Sequence, residues 1–254
     1  MKIIYELNPP KIVKQDHFDF LHINMEMKEL VKRASVLNGF VDGIHLTDSV
    51  LGIPRVSSVT AANYIKKNLT NSLKFSCSLR VRDRNFTSIS QFVCDAILAG
   101  VNSLLILVGD EPSDCSAGSE LKPSDVLKML HGKKYDRIVD LNLSVPNKIK
   151  NKSSIKRKIE AEPYAFITQS IVSLSDLGEI VDIAKPFDIK VVACVMVPSK
   201  KNKLSADMIG IDWKEYENNP IDFILHAGKM ANEVLLTSPN SFRSGLDLIK
   251  ELKK

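Results

Sequence analysis

Eight short apolar, β-branched runs, separated by stretches of helical period, limit this chain to a small set of folds. The runs are residues 2–7, 41–47, 75–81, 103–109, 137–143, 164–169, 190–197 and 233–238. Between them lie amphipathic segments such as "SQFVCDAILAG" (90–100), where Phe92, Ala96 and Ile97 share a face. The runs recur at roughly 25 to 40 residues, the separation a βα unit needs to place its next strand parallel to the last. After the eighth run, "SFRSGLDLIKELKK" predicts a helix capped by Ser241, with Leu246, Ile249 and Leu252 as its apolar side.

Eight β-then-α units in 254 residues predict a single α/β domain, a (β/α)8 TIM barrel spanning residues 1–254. A doubly wound open sheet is the structural alternative. It usually carries a Gly-rich phosphate loop after an early strand, and neither GxGxxG nor GxxxxGK[ST] occurs here. No linker, internal repeat or low-complexity block divides the chain.

With 44% hydrophobic and 26% charged residues, the composition is that of an ordinary soluble globular protein. No apolar run approaches the roughly 20 residues of a membrane span, and no signal peptide is expected from the first residues, where charged and polar side chains interrupt any apolar core. Cys77, Cys94, Cys115 and Cys194 are scattered, with no CxxC pair. That pattern predicts reduced thiols and a cytoplasmic protein. The net charge of +5 does not by itself indicate a nucleic-acid binder. Part of it is local: "NKIKNKSSIKRK" (147–158) reads either as a solvated lysine face or as an anion site. His17, His22, His45, His131 and His226 show no ligand spacing, so no metal site is expected.

In a barrel of this kind the C-terminal strand ends form the active-site face. Glu6 ends the first run, Thr47 the second, Asp110 follows the fourth and Gln169 ends the sixth. A strand-end carboxylate that simply reaches water is the ordinary reading of Glu6 alone. Four such residues predict a polar mouth.

Four strings at these ends resemble a known family. "YELNPPK" (5–11) is similar to the strand-one signature of methylenetetrahydrofolate reductases. "RDRN" (82–85), "LILVGDEP" (105–112) and "IKRKIEAEPYAFITQ" (155–169) resemble three further motifs of that family, in order. The resemblance implies reduction of a 5,10-methylene-tetrahydropterin to its 5-methyl form, with FAD as hydride carrier. It also implies an electron donor, either a reduced nicotinamide or an electron-transfer protein, and an oligomer or a partner subunit. A flavin-free pterin reductase and a non-catalytic pterin-binding subunit are the variants it leaves open.

Carried over by position, Glu6 would be the general acid and Asp110 would stabilise the iminium. Gln169 and Asp110 would hold the pterin, while Thr47, Gly109, Asp110 and Lys158 would contact FAD. The chemistry of these residue types is consistent with that. A half-buried carboxyl can remain protonated near neutrality, and a carboxylate steadies a developing cation. The resemblance further implies, with Ser78 and Val145 at positions where the family carries histidine and tyrosine, that FAD is gripped mainly at its phosphate end by Lys158. Lys158 reads as near the start of the helix that precedes the sixth run, where a helix N-terminus favours anions.

Overall fold

A computed structural model describes residues 1–14, 17–70, 73–111 and 118–254. Cys115 and Pro112 of the "LILVGDEP" string lie outside the described residues. Eight parallel strands close into a barrel: β1 (Lys2–Leu7), β2 (Gly43–Leu46), β3 (Lys74–Arg80), β4 (Ser103–Leu107), β5 (Asp140–Val145), β6 (Ala165–Thr168), β7 (Lys190–Met196) and β8 (Glu233–Thr237). The order around it is β1-β8-β7-β6-β5-β4-β3-β2, the sequential winding that right-handed βαβ crossovers produce. The expected (β/α)8 architecture is therefore the observed one.

The helices that cover it are α1 (Phe20–Leu37), α2 (Ser58–Asn68), α3 (Phe86–Leu98), α4 (Pro123–Gly132), α5 (Lys152–Ile159), α6 (Leu174–Ala184), α7 (Lys203–Met208), α8 (Pro220–Met230) and α9 (Phe242–Leu252). Several start where the sequence supplies a side-chain acceptor for an orphan N–H. Asp19, Asn85, Asn151, Ser173, Asn219 and Ser241 each cap the helix that follows. A short antiparallel pair, Val13–Lys14 with His17–Phe18, interrupts the β1–α1 connection and had no counterpart among the eight runs.

Contacts divide the chain into two units. One comprises Met1–Glu6, Gly39–Gly43 and Asn142–Lys254, and the other Leu7–Asn38 and Ile44–Leu141. In the first, β1 pairs with β8 (Ile3 with Val234, Tyr5 with Leu236), and β8 pairs with β7 (Leu235 with Cys194). Its core includes Tyr5, Phe166, Ile180, Ile224 and Leu236. The Tyr5 ring meets Phe242 edge-on, with centroids 5.9 Å apart. In the second unit, β3 and β4 pair from Ser76–Ser103 to Arg80–Leu107, around Phe75, Leu79, Ile89 and Ile106.

The fifth strand lies further along than the sequence predicted, at Asp140–Val145 instead of 137–143. Lys134 takes a left-handed backbone, and Tyr135–Arg137 forms a 3-10 turn that leaves Ile138 exposed. An isolated apolar residue at a turn imitates the start of a strand. In α3, Phe92 and Ala96 are buried as expected, but Ile97 is only half-buried. The buried face runs instead through Ile89 and Val93.

Candidate active site

A pocket lies in the first unit, beyond the ends of β5 and β6. It is a cavity of about 250 Å³, lined among others by Asn147, Lys148, Lys150, Ser154, Lys158 and Gln169. Gln169 directly follows β6, and its backbone N–H donates to the Val145 carbonyl at 2.8 Å, which fixes that strand end. The Asn147 side chain donates to the Ser170 carbonyl at 3.1 Å and ties the two connections together. Lys148 pairs with Asp176 at 3.4 Å.

Lys158 enters this pocket half-buried, and its ammonium donates to the Ser144 carbonyl. Burial holds its pKa below the usual lysine value, because a desolvated charge is costly. The sequence placed Lys158 near a helix N-terminus, where the helix dipole favours anions. It lies instead in the last turn of α5, with Lys156 and Arg157, because Asn151 starts that helix. The dipole argument therefore falls for this residue. The basic stretch is divided in its role: Lys156 and Arg157 are exposed, whereas Lys148, Lys150 and Lys158 line the cavity.

Glu6 is half-buried at the penultimate position of β1 and accepts from the Thr237 hydroxyl at 2.6 Å. Glu6 also disfavours ionisation of Cys194, although burial is the larger reason that thiol is pushed up to about 12. Cys194 is an inert core thiol on β7, 3.6 Å from the Ser170 hydroxyl. Lys158 and Gln169 thus line one pocket. Glu6 stands among hydroxyl and thiol groups at the ends of other strands of the same unit.

In the second unit, Thr47 follows β2 and donates to Asn8 Oδ1 at 2.7 Å. The Asp110 carboxylate accepts from the Leu51 backbone N–H at 2.7 Å. Gly109 has φ +90°, and a Cβ there would lie 2.4 Å from Cγ of Arg80. Arg80 itself was missed as a site residue. It is almost fully buried, donates from Nε to Asp83 at 2.9 Å, and donates from Nη1 to the Ser49 carbonyl at 3.1 Å. A charged residue ending an apolar run was the available signal, since a buried arginine must be paired. Ser49 and Leu51 both have left-handed backbones, φ 46° and 59°. Such strain costs about 1–3 kcal/mol per residue. His45, on β2, one of the five histidines without ligand spacing, bridges Ser76 and Ser78 at 3.0 and 2.9 Å, and burial lowers its pKa to about 4.

No family model and no curated protein matches the chain. Among solved structures, it is similar to a deoxyribose phosphate aldolase from Aeropyrum pernix, with a TM-score of 0.59 and 12% identity, covering 99% of this chain and 90% of that one. A chain described as QR15, an aldolase, gives 0.58 at 12% identity over 98% and 93%. A tryptophan synthase complex from Pyrococcus furiosus gives 0.58 at 11% over 99% and 97%. Likeness at this identity establishes the barrel alone.

The expected flavin-dependent reduction of a methylene-tetrahydropterin is overturned by these neighbours, which are aldolase and tryptophan synthase barrels. Its flavin-free and non-catalytic variants fall with it. The physical reason is that a carboxylate, a Gly-Asp turn and an amide at strand ends are what many parallel barrels place at their mouths. Among the described residues, no helix is long and apolar enough to cross a membrane.

Proposed function

We propose that this chain is an aldolase-type lyase that works on a small carbonyl compound through an imine at Lys158. The observation that carries this reading is a lysine held half-buried in a cavity, with its pKa lowered by desolvation. A lysine must be neutral to attack a carbonyl, and desolvation is a known way to make it so near neutral pH. The amine adds to the carbonyl carbon and water leaves, which forms the imine. Once protonated, the imine accepts the electron pair released when the bond between its α and β carbons breaks. The β-hydroxyl gives up its proton and that fragment leaves as an aldehyde. The resulting enamine takes a proton at its α carbon, and water then releases the second product and returns the free amine. Gln169 would hold the substrate's polar edge. A cavity of about 250 Å³ suits a substrate of a few carbons. The aldolases among the structural neighbours agree with a lyase reading.

The test is reductive trapping. Incubation with glyceraldehyde or pyruvate plus cyanoborohydride should add mass at Lys158 well before the exposed Lys156. Lys158→Arg, which keeps the charge and removes the nucleophile, should abolish that adduct. Uniform labelling of surface lysines, with none favoured, would defeat the proposal.

A further inference from the structure

We infer that the cavity beyond the ends of β5 and β6 takes a phosphate monoester, so that the carbonyl compound proposed to join Lys158 carries a phosphate group. The carbonyl end of that compound rests on the lyase reading, and the phosphate end does not. Lys148, Lys150 and Lys158 line this cavity, and among the described residues no aspartate or glutamate does. Asp176 pairs with Lys148 at 3.4 Å from outside that lining. Lys150 has no ion-pair partner among the described residues, and the Lys158 ammonium donates to a neutral carbonyl, that of Ser144. Three cations around about 250 Å³, set against one carboxylate, leave an excess of positive charge that an entering anion relieves.

Two neighbouring segments bring these cations together. Asn151, Ser154, Ile155 and Lys158 recur at helical spacing, so one face of α5 forms a wall of the cavity. Side chains of a helix lean toward its N-terminus, which carries the Lys158 amine back toward Ser154, four residues earlier. Lys148 and Lys150 come from the connection between β5 and α5. Lys156 and Arg157, on the same helix, do not line the cavity. The amides of the first turn are not the anion's seat, because Asn151 Oδ1 already accepts from the N–H groups of Ser153 and Ser154. An anion here is met by side chains.

The number of donors selects the kind of anion. A phosphate monoester presents three terminal oxygens and close to two negative charges, whereas a carboxylate presents two oxygens and one charge. Lys148, Lys150 and the Ser154 hydroxyl supply one donor for each of the three oxygens. That leaves Gln169 and Lys158 for the carbonyl portion of the same molecule. The rim lysines then act on binding, and Lys158 acts on the bond that breaks.

Titration of the full chain with inorganic phosphate, followed by phosphorus NMR at constant ionic strength, tests the anion end alone. Saturable binding with a Kd of about 1 mM or tighter is expected. Lys148 and Lys150 are exposed, so the double variant Lys148→Gln/Lys150→Gln should fold and should bind phosphate at least about tenfold more weakly, a loss set by two removed charges. Lys156→Gln, which removes a lysine outside the cavity, should leave the Kd within about twofold of the parent value. Acetate should bind at least about tenfold more weakly than phosphate. Reductive trapping then joins the two ends: glyceraldehyde 3-phosphate should label Lys158 about tenfold faster than glyceraldehyde, and in the double variant that ratio should fall to about one. Absence of saturation, an equal loss in Lys156→Gln, acetate binding as tight as that of phosphate, or equal trapping of the two aldehydes each overturns the phosphate. Phosphate binding without any favoured adduct at Lys158 would leave the anion site standing and remove the lyase reading.

Discussion

His45 commits both ring nitrogens to serines, one as donor and one as acceptor, and this gives the fold an acid limit. In the folded chain it stays neutral down to about pH 4, whereas an unfolded histidine takes a proton below its ordinary value of 6.5. The unfolded state therefore binds more protons between those limits, and stability falls as pH drops through that window. The full loss is about 3 kcal/mol by linkage. His45→Gln, which can still bridge two hydroxyls, should flatten the acid limb of a plot of Tm against pH. An unchanged limb would show that other groups set it. The alkaline side has the opposite sign. Cys77 and Cys194 are pushed up to about 12 by burial, so stability should fall as pH rises above the ordinary thiol value of 9.0. Little of this was legible in the sequence. Ser76 and Ser78 stand 31 and 33 positions from His45, and only the pairing of strands brings them to it. Glu6, Thr47, Asp110 and Gln169 were legible because a strand end is marked by its own apolar run. The partner of Asp110 was not, since a backbone N–H leaves no trace in residue type.

Helix α9 shows how closely a covering element can be fitted to its strand. A Cβ at Gly245 would lie 2.1 Å from the Tyr5 hydroxyl, so this glycine is required by the ring beneath it. Gly245→Ala should cost about 1–3 kcal/mol through overpacking, read from urea unfolding. At Gly132, the end of α4, an added Cβ would meet nothing within 4 Å, and Gly132→Ala should be neutral or slightly stabilising. Equal effects at the two sites would refute the packing account. The cap at Ser241 was readable because capping is local chemistry, and Ser241 does accept from the Ser244 N–H at 3.3 Å. The start of α5 is harder to read, because several residues of "KNKSSIKRK" suit a first turn equally well. Only the structure selects Asn151, whose side chain accepts from the N–H groups of Ser153 and Ser154.

Alternating runs were enough to indicate a closed barrel, since a fixed count of βα units leaves few other ways to bury every strand. What that reading could not supply was which strand ends share a cavity, because cavities depend on side-chain packing and not on period. Closure itself rests on β1 meeting β8. Leu236 is fully buried opposite Tyr5, and Leu236→Ala should cost about 2–5 kcal/mol and lower the urea midpoint accordingly. A midpoint within error of the parent protein would mean the seam contributes little. That seam also has a consequence for biosynthesis. Lys2 pairs with Glu233, so β1 must wait for the synthesis of β8 before that edge is satisfied. At typical elongation rates of about 5–20 residues per second, the delay is about 10–50 s. Throughout it, Ile3 and Tyr5 lack their β8 partners Val234 and Leu236, which makes nascent β1 a natural client for chaperones that hold apolar strands.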